Sequence, residues 1–249
     1  MTIFNSYSKY YNLLYKDKDY QQEVRYIKNI IIKHSPNAKT ILELGCGTGK
    51  HAKILDDSGF KIHGIDISKT MLEQAKKLQT QNLTFEYGDV RNYRVNSKFD
   101  VVISLFHVAS YQNSNDDLIN YFRTARDNLN VGGIFIFDCW YGPAVLNQKP
   151  AKRVKELEDD EIKMVRYANP QSFPNENIVK VNYNIKVTDK RTNKDSAINE
   201  THSMRYLFKP EIELLLNSNG FQLIDFQEWI TGKTPGFDSW GVCFIGKAI

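Results

Sequence analysis

The sequence predicts an α/β fold, a doubly wound and mostly parallel seven-stranded sheet carrying a small antiparallel β insertion. Three observations predict it. Short apolar runs alternate with amphipathic helical stretches from residue 20 to residue 138, the pattern of a sheet covered on both faces. The run Thr40-Ile41-Leu42 leads directly into Glu43-Leu44-Gly45-Cys46-Gly47-Thr48-Gly49, with glycine at every second position of a strand-to-helix turn. Further on the pattern switches to strict alternation: Val179, Val181, Tyr183, Ile185 and Val187 against Lys180, Asn182, Asn184, Lys186 and Thr188. Such alternation belongs to an antiparallel layer with one face covered.

The elements follow in order. Val24, Ile27, Ile30 and Ile31 recur at helical spacing within residues 20–34, and Pro36 stops that helix. The first strand runs into the glycine turn. Without Cβ atoms the turn can take positive φ and bring its backbone close to a ligand. A helix starting just beyond points unpaired N–H groups at the same place. A second strand, residues 61–65, ends in Asp66, and Ser68 caps a helix containing Met71 and Leu72. A third strand, residues 83–87, ends in Gly88-Asp89-Val90, and a fourth, residues 99–105, is apolar enough to be buried on both faces. Residues 116–129 form a helix with Leu118, Ile119, Phe122, Ala125 and Leu129 on its buried stripe. Val131-Gly132-Gly133 is expected to turn into a fifth strand over 134–138. Ile162, Met164 and Val165 sit in one strand of the insertion. The alternating run supplies a second, and residues 197–208, after the polar turn 189–195, supply a third. Pro210 opens a helix that Gly220 ends, and residues 221–228 and 241–247 close the sheet.

Composition narrows the function. A chain of 249 residues can form one large α/β domain or a core with a modest insertion. A net charge of +4 without a dense Lys/Arg block does not call for nucleic acid, and a small-molecule partner is expected, with the chain a monomer or homodimer. No apolar stretch approaches the roughly 18 to 20 residues that span a bilayer, so no membrane insertion is expected. Residues 1–6 carry no signal-peptide pattern, and Cys46, Cys139 and Cys243 are odd in number. Free thiols in the reducing cytoplasm are the expectation. The absence of a CxxC pair or Cys/His cluster leads us to expect no metal.

The spacing E-x-G-x-G-x-G over residues 43–49 has Lys50 where the nicotinamide and flavin fingerprint requires glycine. It resembles motif I of the class I S-adenosylmethionine-dependent methyltransferases, a Rossmann-like family. Asp66 follows about 20 positions later at a strand end, placed to accept hydrogen bonds from ribose hydroxyls. In the family an acid at the position of Asp89 binds the adenine amino group, and Val90 would donate its backbone N–H to the ring. The stretch Asn128-Leu129-Asn130-Val131-Gly132-Gly133-Ile134-Phe135-Ile136-Phe137-Asp138 is again typical. The resemblance implies S-adenosyl-L-methionine as cofactor, held by Glu43, Gly45, Cys46, Gly47 and Gly49, by Asp66, Ile67 and Met71, by Asp89 and Val90, and by Tyr20 and Leu105.

Methyl transfer from a sulfonium is a displacement whose drive lies in the cofactor, so one or two polar groups near the methyl suffice, not a triad. The opening Tyr10-Tyr11-Asn12-Leu13-Leu14-Tyr15, with Lys18-Asp19-Tyr20, resembles the "YDxxY…KDY" start of methyltransferases acting on nucleotide-linked amino sugars. That match implies that the segment folds over the cofactor, with Tyr11 at the reacting centre and Tyr20 at the methionine end. The loop after the fourth strand offers His107 and Tyr111 as base or acceptor-binding groups; the sugar N,N-dimethyltransferases place a His where Tyr111 stands. Trp140 and Tyr141, after the fifth strand, are candidates to stack on an acceptor ring. Among Arg153, Lys155, Arg166 and Arg205, the first two neighbour Glu156, Glu158, Asp159 and Asp160 and read as a solvated face. Arg205 and Tyr206 are the better acceptor candidates. His34, His51, His63 and His202 carry no supporting pattern. The resulting division is a helical lid (1–36), a cofactor-binding α/β core (37–145), an antiparallel β insertion on the acceptor side (146–208), and a closing helix with two strands (209–249). The acceptor expected by resemblance is a nucleotide-linked sugar or another precursor of bacterial capsule or lipopolysaccharide. Alternatives are N-methylation of a simple amine or amino acid, and a non-catalytic protein that uses the fold to bind.

Overall fold

The protein is described by a computed structural model covering residues 10–249; the first nine residues of the expected lid lie outside the described residues. The chain opens with α1 (Tyr11–Leu14) and α2 (Tyr20–His34), the latter capped where the Asp19 carboxylate accepts from the Gln22 N–H at 2.8 Å. Next come β1 (Thr40–Leu44), α3 (Lys50–Asp57), β2 (Lys61–Asp66), α4 (Lys69–Ala75), β3 (Leu83–Tyr87) and β4 (Phe99–Ser104). A 3₁₀ turn over Val108–Tyr111 precedes α5 (Asn115–Asp127) and β5 (Leu129–Tyr141). After α6 (Gly142–Gln148) the chain builds β6 (Arg153–Glu158), β7 (Ile162–Phe173), β8 (Ile178–Asp189) and β9 (Lys194–Leu207). It closes with α7 (Lys209–Ser218), β10 (Phe221–Glu228) and β11 (Gly241–Ala248).

The seven core strands lie in the order β3-β2-β1-β4-β5-β11-β10. The first five are parallel, and β11 runs antiparallel to both its neighbours. Apolar residues cover both faces, as parallel strands require. On one side Val24, Ile27 and Ile31 of α2 and Ala52 and Leu55 of α3 pack on Ile41, Val101 and Ile136. On the other, Leu118, Phe122 and Ala125 of α5 and Ile212 and Leu216 of α7 pack on Leu42, Val102 and Phe135. Cys46, Cys139 and Cys243 are buried free thiols.

The antiparallel layer is joined to the core by one short seam. Pairing of β4 with β5 ends at Ser104–Phe137, and beyond that point Trp140 and Tyr141 of β5 pair in parallel with Tyr206 and Leu207 of β9. The layer therefore grows out over the carboxyl ends of β1 and β4. Its inner face packs Met164, Ile185 and Val187 on Leu14 of α1 and Met71 of α4.

Two local expectations are corrected. Val131-Gly132-Gly133 lies inside β5, which begins at Leu129; the register slips between Phe99 and Val101, and Gly132 takes φ +79°. Leu129 opens that strand and does not end α5. The stretch 153–158, expected to be a solvated charged face, has Arg153, Glu156 and Glu158 exposed and forms an edge strand paired with β7. Charged side chains are a common way of blunting such an edge.

Candidate functional site

A cavity of about 520 Å³ opens at the carboxyl ends of β1, β2 and β4, in the range of small-molecule sites. Its floor is the glycine turn, Gly45, Cys46, Gly47 and Thr48, leading into Lys50 and His51 of α3. A Cβ on Gly47, where φ is +55°, would meet nothing within 4 Å, so its missing side chain leaves room beside the backbone. Gly49 lies behind the floor, where a Cβ would come 2.6 Å from Phe85 Cζ: its role is packing. Asp66, Ile67 and Met71 line one wall, Asp89, Val90 and Arg91 the far end, and Leu105, Phe106, Val108, Tyr111 and Gln112 the other wall. Tyr15 and Tyr20 reach in from the N-terminal segment.

The acids are held in different ways. Asp66 accepts from the Gly47 N–H at 2.8 Å and the Ser68 N–H at 2.7 Å, one to each oxygen. Burial raises its pKa against those backbone bonds. Asp89 accepts from Arg91, Nε to Oδ1 at 2.9 Å and a terminal nitrogen to Oδ2 at 2.6 Å, and Arg91 continues to Asp117 at 2.8 Å. The guanidinium holds Asp89 below the usual carboxylate range. Glu43 does not line the cavity. It is buried behind the turn, its Oε2 without a hydrogen-bond partner among the described residues, and burial and then Asp66 push its pKa up to about 8.

Sequence reasoning missed a buried cluster that ties the N-terminal segment to this floor. His51 Nε2 lies 2.6 Å and Lys18 Nζ 2.8 Å from the same oxygen of Glu23, and the Trp229 indole N–H donates to the other at 3.4 Å. Burial alone would raise the Glu23 pKa, but His51 and Lys18 outweigh it and bring it to about 2. Tyr20 meets the His51 ring at 4.9 Å, Lys18 Nζ stands 3.6 Å from the centre of the Phe106 ring, and Tyr15 approaches that ring edge-on at 5.0 Å. Of Tyr11 only its place in α1 is described; its side chain lies outside the described residues.

Phe106 and His107 both take left-handed backbone, φ 67° and 65°, a concentration of strain at a cavity rim. The His107 N–H donates to both Asp138 oxygens at 3.1 Å, and its Nδ1 lies 2.6 Å from Asp138 Oδ2. That grip leaves Phe106 and Val108 as lining residues and His107 behind the wall. Tyr111 does line the cavity, and its hydroxyl lies 2.8 Å from His202 Nδ1. His202 Nε2 is in turn 3.2 Å from Glu200 Oε2. Burial, with Tyr15, Tyr183 and Glu200 nearby, raises the Tyr111 pKa well above that of a free phenol. Their spacing of two places Glu200 and His202 on one face of β9, but nothing in the sequence connects them to residue 111.

The expected acceptor residues lie apart from the cavity. Arg205 is buried and bonded to Glu211 Oε1 at 2.5 Å, tying β9 to α7, so it is not open to a phosphate. Tyr206 is 1% exposed, in a cluster with Val145, Val179 and Val181. Trp140 meets Trp240 at 5.6 Å and Tyr141 meets Phe226 at 5.6 Å; neither lines the cavity. Arg166 instead stands over the Tyr183 ring at 5.1 Å. Among the described residues no group of His, Cys, Asp and Glu is arranged to hold a metal, and no helix is long and apolar enough to cross a membrane.

Residues 41–133 match the family model described as a methyltransferase domain. The chain is 29% identical over 135 residues to the dTDP-3-amino-3,4,6-trideoxy-alpha-D-glucopyranose N,N-dimethyltransferase of Streptomyces venezuelae. That match covers 53% of this chain and 56% of the relative. A putative methyltransferase of Bacillus subtilis (strain 168), YqeM, is 26% identical over 240 residues, 95% of this chain and 94% of its own. In fold the chain is similar to an S-adenosylmethionine-dependent methyltransferase from Clostridium acetobutylicum, with a TM-score of 0.81 and 24% identity over 98% of this chain and 99% of that one.

Proposed function

The chain carries a methyltransferase domain of the class I, S-adenosylmethionine-dependent kind, and from that premise we propose that it methylates a small-molecule acceptor, a nucleotide-linked amino sugar of a surface-glycan pathway being the acceptor that the features favour. The observation that carries the proposal is that one cavity has two kinds of wall. One end offers the bare backbone at Gly47 and the acids Asp66 and Asp89, which suit an adenosyl group. The other end is aromatic and hydroxylic, with Tyr15, Phe106 and Tyr111 beneath the antiparallel layer. When bound, S-adenosylmethionine supplies an electrophilic methyl group on a sulfonium.

The chain's own residues orient and enclose. Asp66, pinned by two backbone N–H groups, keeps lone pairs for the ribose hydroxyls. Asp89, steadied by Arg91, and the Val90 N–H face the base. The N-terminal segment, fastened by Lys18 and Glu23, keeps water from the reacting centre. Similarity to the amino-sugar enzyme of Streptomyces venezuelae supports the acceptor class.

The test is a panel of nucleoside diphosphate-linked amino sugars, their hydroxyl counterparts, and simple amines including glycine. Each is incubated with S-adenosylmethionine while release of S-adenosylhomocysteine is followed. Turnover of the amino sugars is expected. Turnover of glycine or simple amines alone moves the acceptor class, and S-adenosylhomocysteine binding with no turnover of any acceptor makes the chain a binding protein.

A further inference from the structure

The strand β6 reads Arg153-Val154-Lys155-Glu156-Leu157-Glu158, and the alternation of a strand sorts its charges by sign. Leu157 is buried in the cluster that packs the layer on Leu14 and Met71. Arg153 and Lys155, at alternate positions before it, belong to the same inner face, while Glu156 and Glu158 belong to the outer one. On β7 Met164 is in that inner cluster, and Arg166, two residues on, adds a third cation to the face. We propose that Arg153, Lys155 and Arg166 form a diphosphate subsite for the acceptor, beside the cavity in which methyl transfer takes place.

The register sets the three side by side. Lys155 stands directly across from Arg166, and Arg153 across from Ala168, the next inner pair along. Like charges directly opposite on an antiparallel pair are destabilising, and a bound anion would offset that cost. Lys155 donates to the Leu14 carbonyl at 3.2 Å with Asp17 Oδ2 4.0 Å away, and Arg166 lies over the Tyr183 ring at 5.1 Å. Arg153 is exposed at the open end of the face. Its row continues through Ala168 and Tyr183 to Glu200, an acid three strands over. The acids next to it in sequence are turned away, and Glu158 meets Lys190 at 3.3 Å.

This face adjoins the cavity. Tyr183 packs against the same apolar cluster as Tyr15 and Phe106, which line the cavity. It also meets, at 5.0 Å, the ring of His202, which is bonded to the cavity residue Tyr111. Burial and then Tyr15 raise the Tyr183 pKa while Arg166 and Arg153 oppose the rise, so both guanidinium groups act on its hydroxyl. In a nucleotide-linked amino sugar, the sugar ring separates the amine from the diphosphate. An amine held beside Tyr15 and Tyr111 therefore leaves its phosphates just outside the cavity, where these cations stand. Guanidinium forks match pairs of phosphate oxygens, and Lys155 adds a point charge. Arg205 is committed to Glu211 and does not compete for the role.

The subsite rests on the reading of a nucleotide-linked acceptor, and two measurements separate them. Calorimetric titration of dTDP into the full chain loaded with S-adenosylhomocysteine should show binding that weakens with salt. Arg153→Gln should weaken it about tenfold, as the loss of one charge-assisted hydrogen bond would, and Arg153→Lys should weaken it less. Arg166→Gln should weaken it at least as much, with thermal unfolding to check that the fold is kept. Glu156→Gln, on the outer face of the same strand, should not move it. In turnover, the wild type should prefer dTDP-3-amino-3,4,6-trideoxy-D-glucopyranose to the 1-O-methyl glycoside of the same sugar. Arg153→Gln should reduce that preference about tenfold by raising KM for the dTDP-linked sugar. Binding of dTDP that neither Arg153→Gln nor Arg166→Gln changes overturns the subsite, as does equal turnover of the two sugars by the wild type. Binding of dTDP that both variants weaken, with no turnover of the dTDP-linked sugar, overturns the acceptor reading and retains the subsite for another diphosphate ester.

Discussion

Glu43 sits on β1 with its carboxyl 3.9 Å from His51 Nδ1, and burial together with Asp66 pushes its pKa from 4.5 up to about 8. A carboxyl whose folded pKa is raised contributes its full stability below the unfolded value and loses it as pH rises through the folded one. Between those limits the wild type should lose stability at about 1.4 kcal/mol per pH unit. Glu43→Gln, isosteric with the protonated acid, removes that loss. Urea unfolding should find the two chains nearly equal at pH 5, with the variant ahead at pH 7 and further ahead at pH 9. An unchanged gap across the three would mean that Glu43 is already ionised at pH 5. The glycines of the same turn divide by what lies beside them. Gly49→Ala adds a Cβ 2.6 Å from Phe85 at φ +76° and should cost about 1–3 kcal/mol of fold stability, read by thermal unfolding. Gly47→Ala shares the strain but points into open space, so its larger effect should fall on S-adenosylhomocysteine affinity. Equal behaviour of the two in both assays would refute the division.

The helix α2 is joined to the core through Glu23, which takes Lys18 from its own segment, His51 from α3 and Trp229 from the chain after β10. Glu23 is held down to about 2, so this join is intact above the ordinary carboxylate pKa and is lost as pH falls toward 2. Removing one partner of a buried charged set leaves the others uncompensated, and Glu23→Gln should cost on the order of 3 kcal/mol. Calorimetric unfolding at pH 7 measures it, and a variant as stable as wild type would show that apolar packing of Ile27 and Ile31 alone holds the helix. Such joins mark the limit of what the sequence makes legible. β1, β2 and the glycine turn are local, written in periodicity and in the 43–49 spacing, and Asp66 and Asp89 follow from strand ends. The Glu23–His51, Asp89–Arg91–Asp117 and Tyr111–His202 contacts pair side chains up to 91 positions apart, and no local pattern encodes them. Arg205 misled because charge in a strand near a site suggests a ligand, while here it anchors Glu211 at the start of α7.

The cavity lies where the strand order turns back on itself, between β2 and β4 on either side of β1, the usual ligand position in an open α/β sheet. Two separate parts of the chain then close over it. The antiparallel layer leaves the core only past the end of β4, and the N-terminal segment reaches in from the opposite end of the sequence with Tyr15, Lys18 and Tyr20. Neither contributes a strand to the seven of the core, so the sheet should fold without the segment while the site should not work. A ligand that binds only the folded state at 100 times its Kd stabilises it by about 2.7 kcal/mol. S-adenosylhomocysteine should therefore raise the unfolding temperature of the full chain. Asp66→Ala, which strips partners from two hydroxyls, should weaken that ligand by about 2–3 kcal/mol in calorimetry, with Asp66→Asn falling between. A chain lacking residues 1–20 should keep a cooperative unfolding transition, as α2 from Gln21 onward still carries Val24, Ile27 and Ile31, but should show no ligand-induced rise and no methyl transfer. If the shortened chain is stabilised by S-adenosylhomocysteine as much as the full one and turns over acceptor at the same rate, the N-terminal segment is packing and not part of the site.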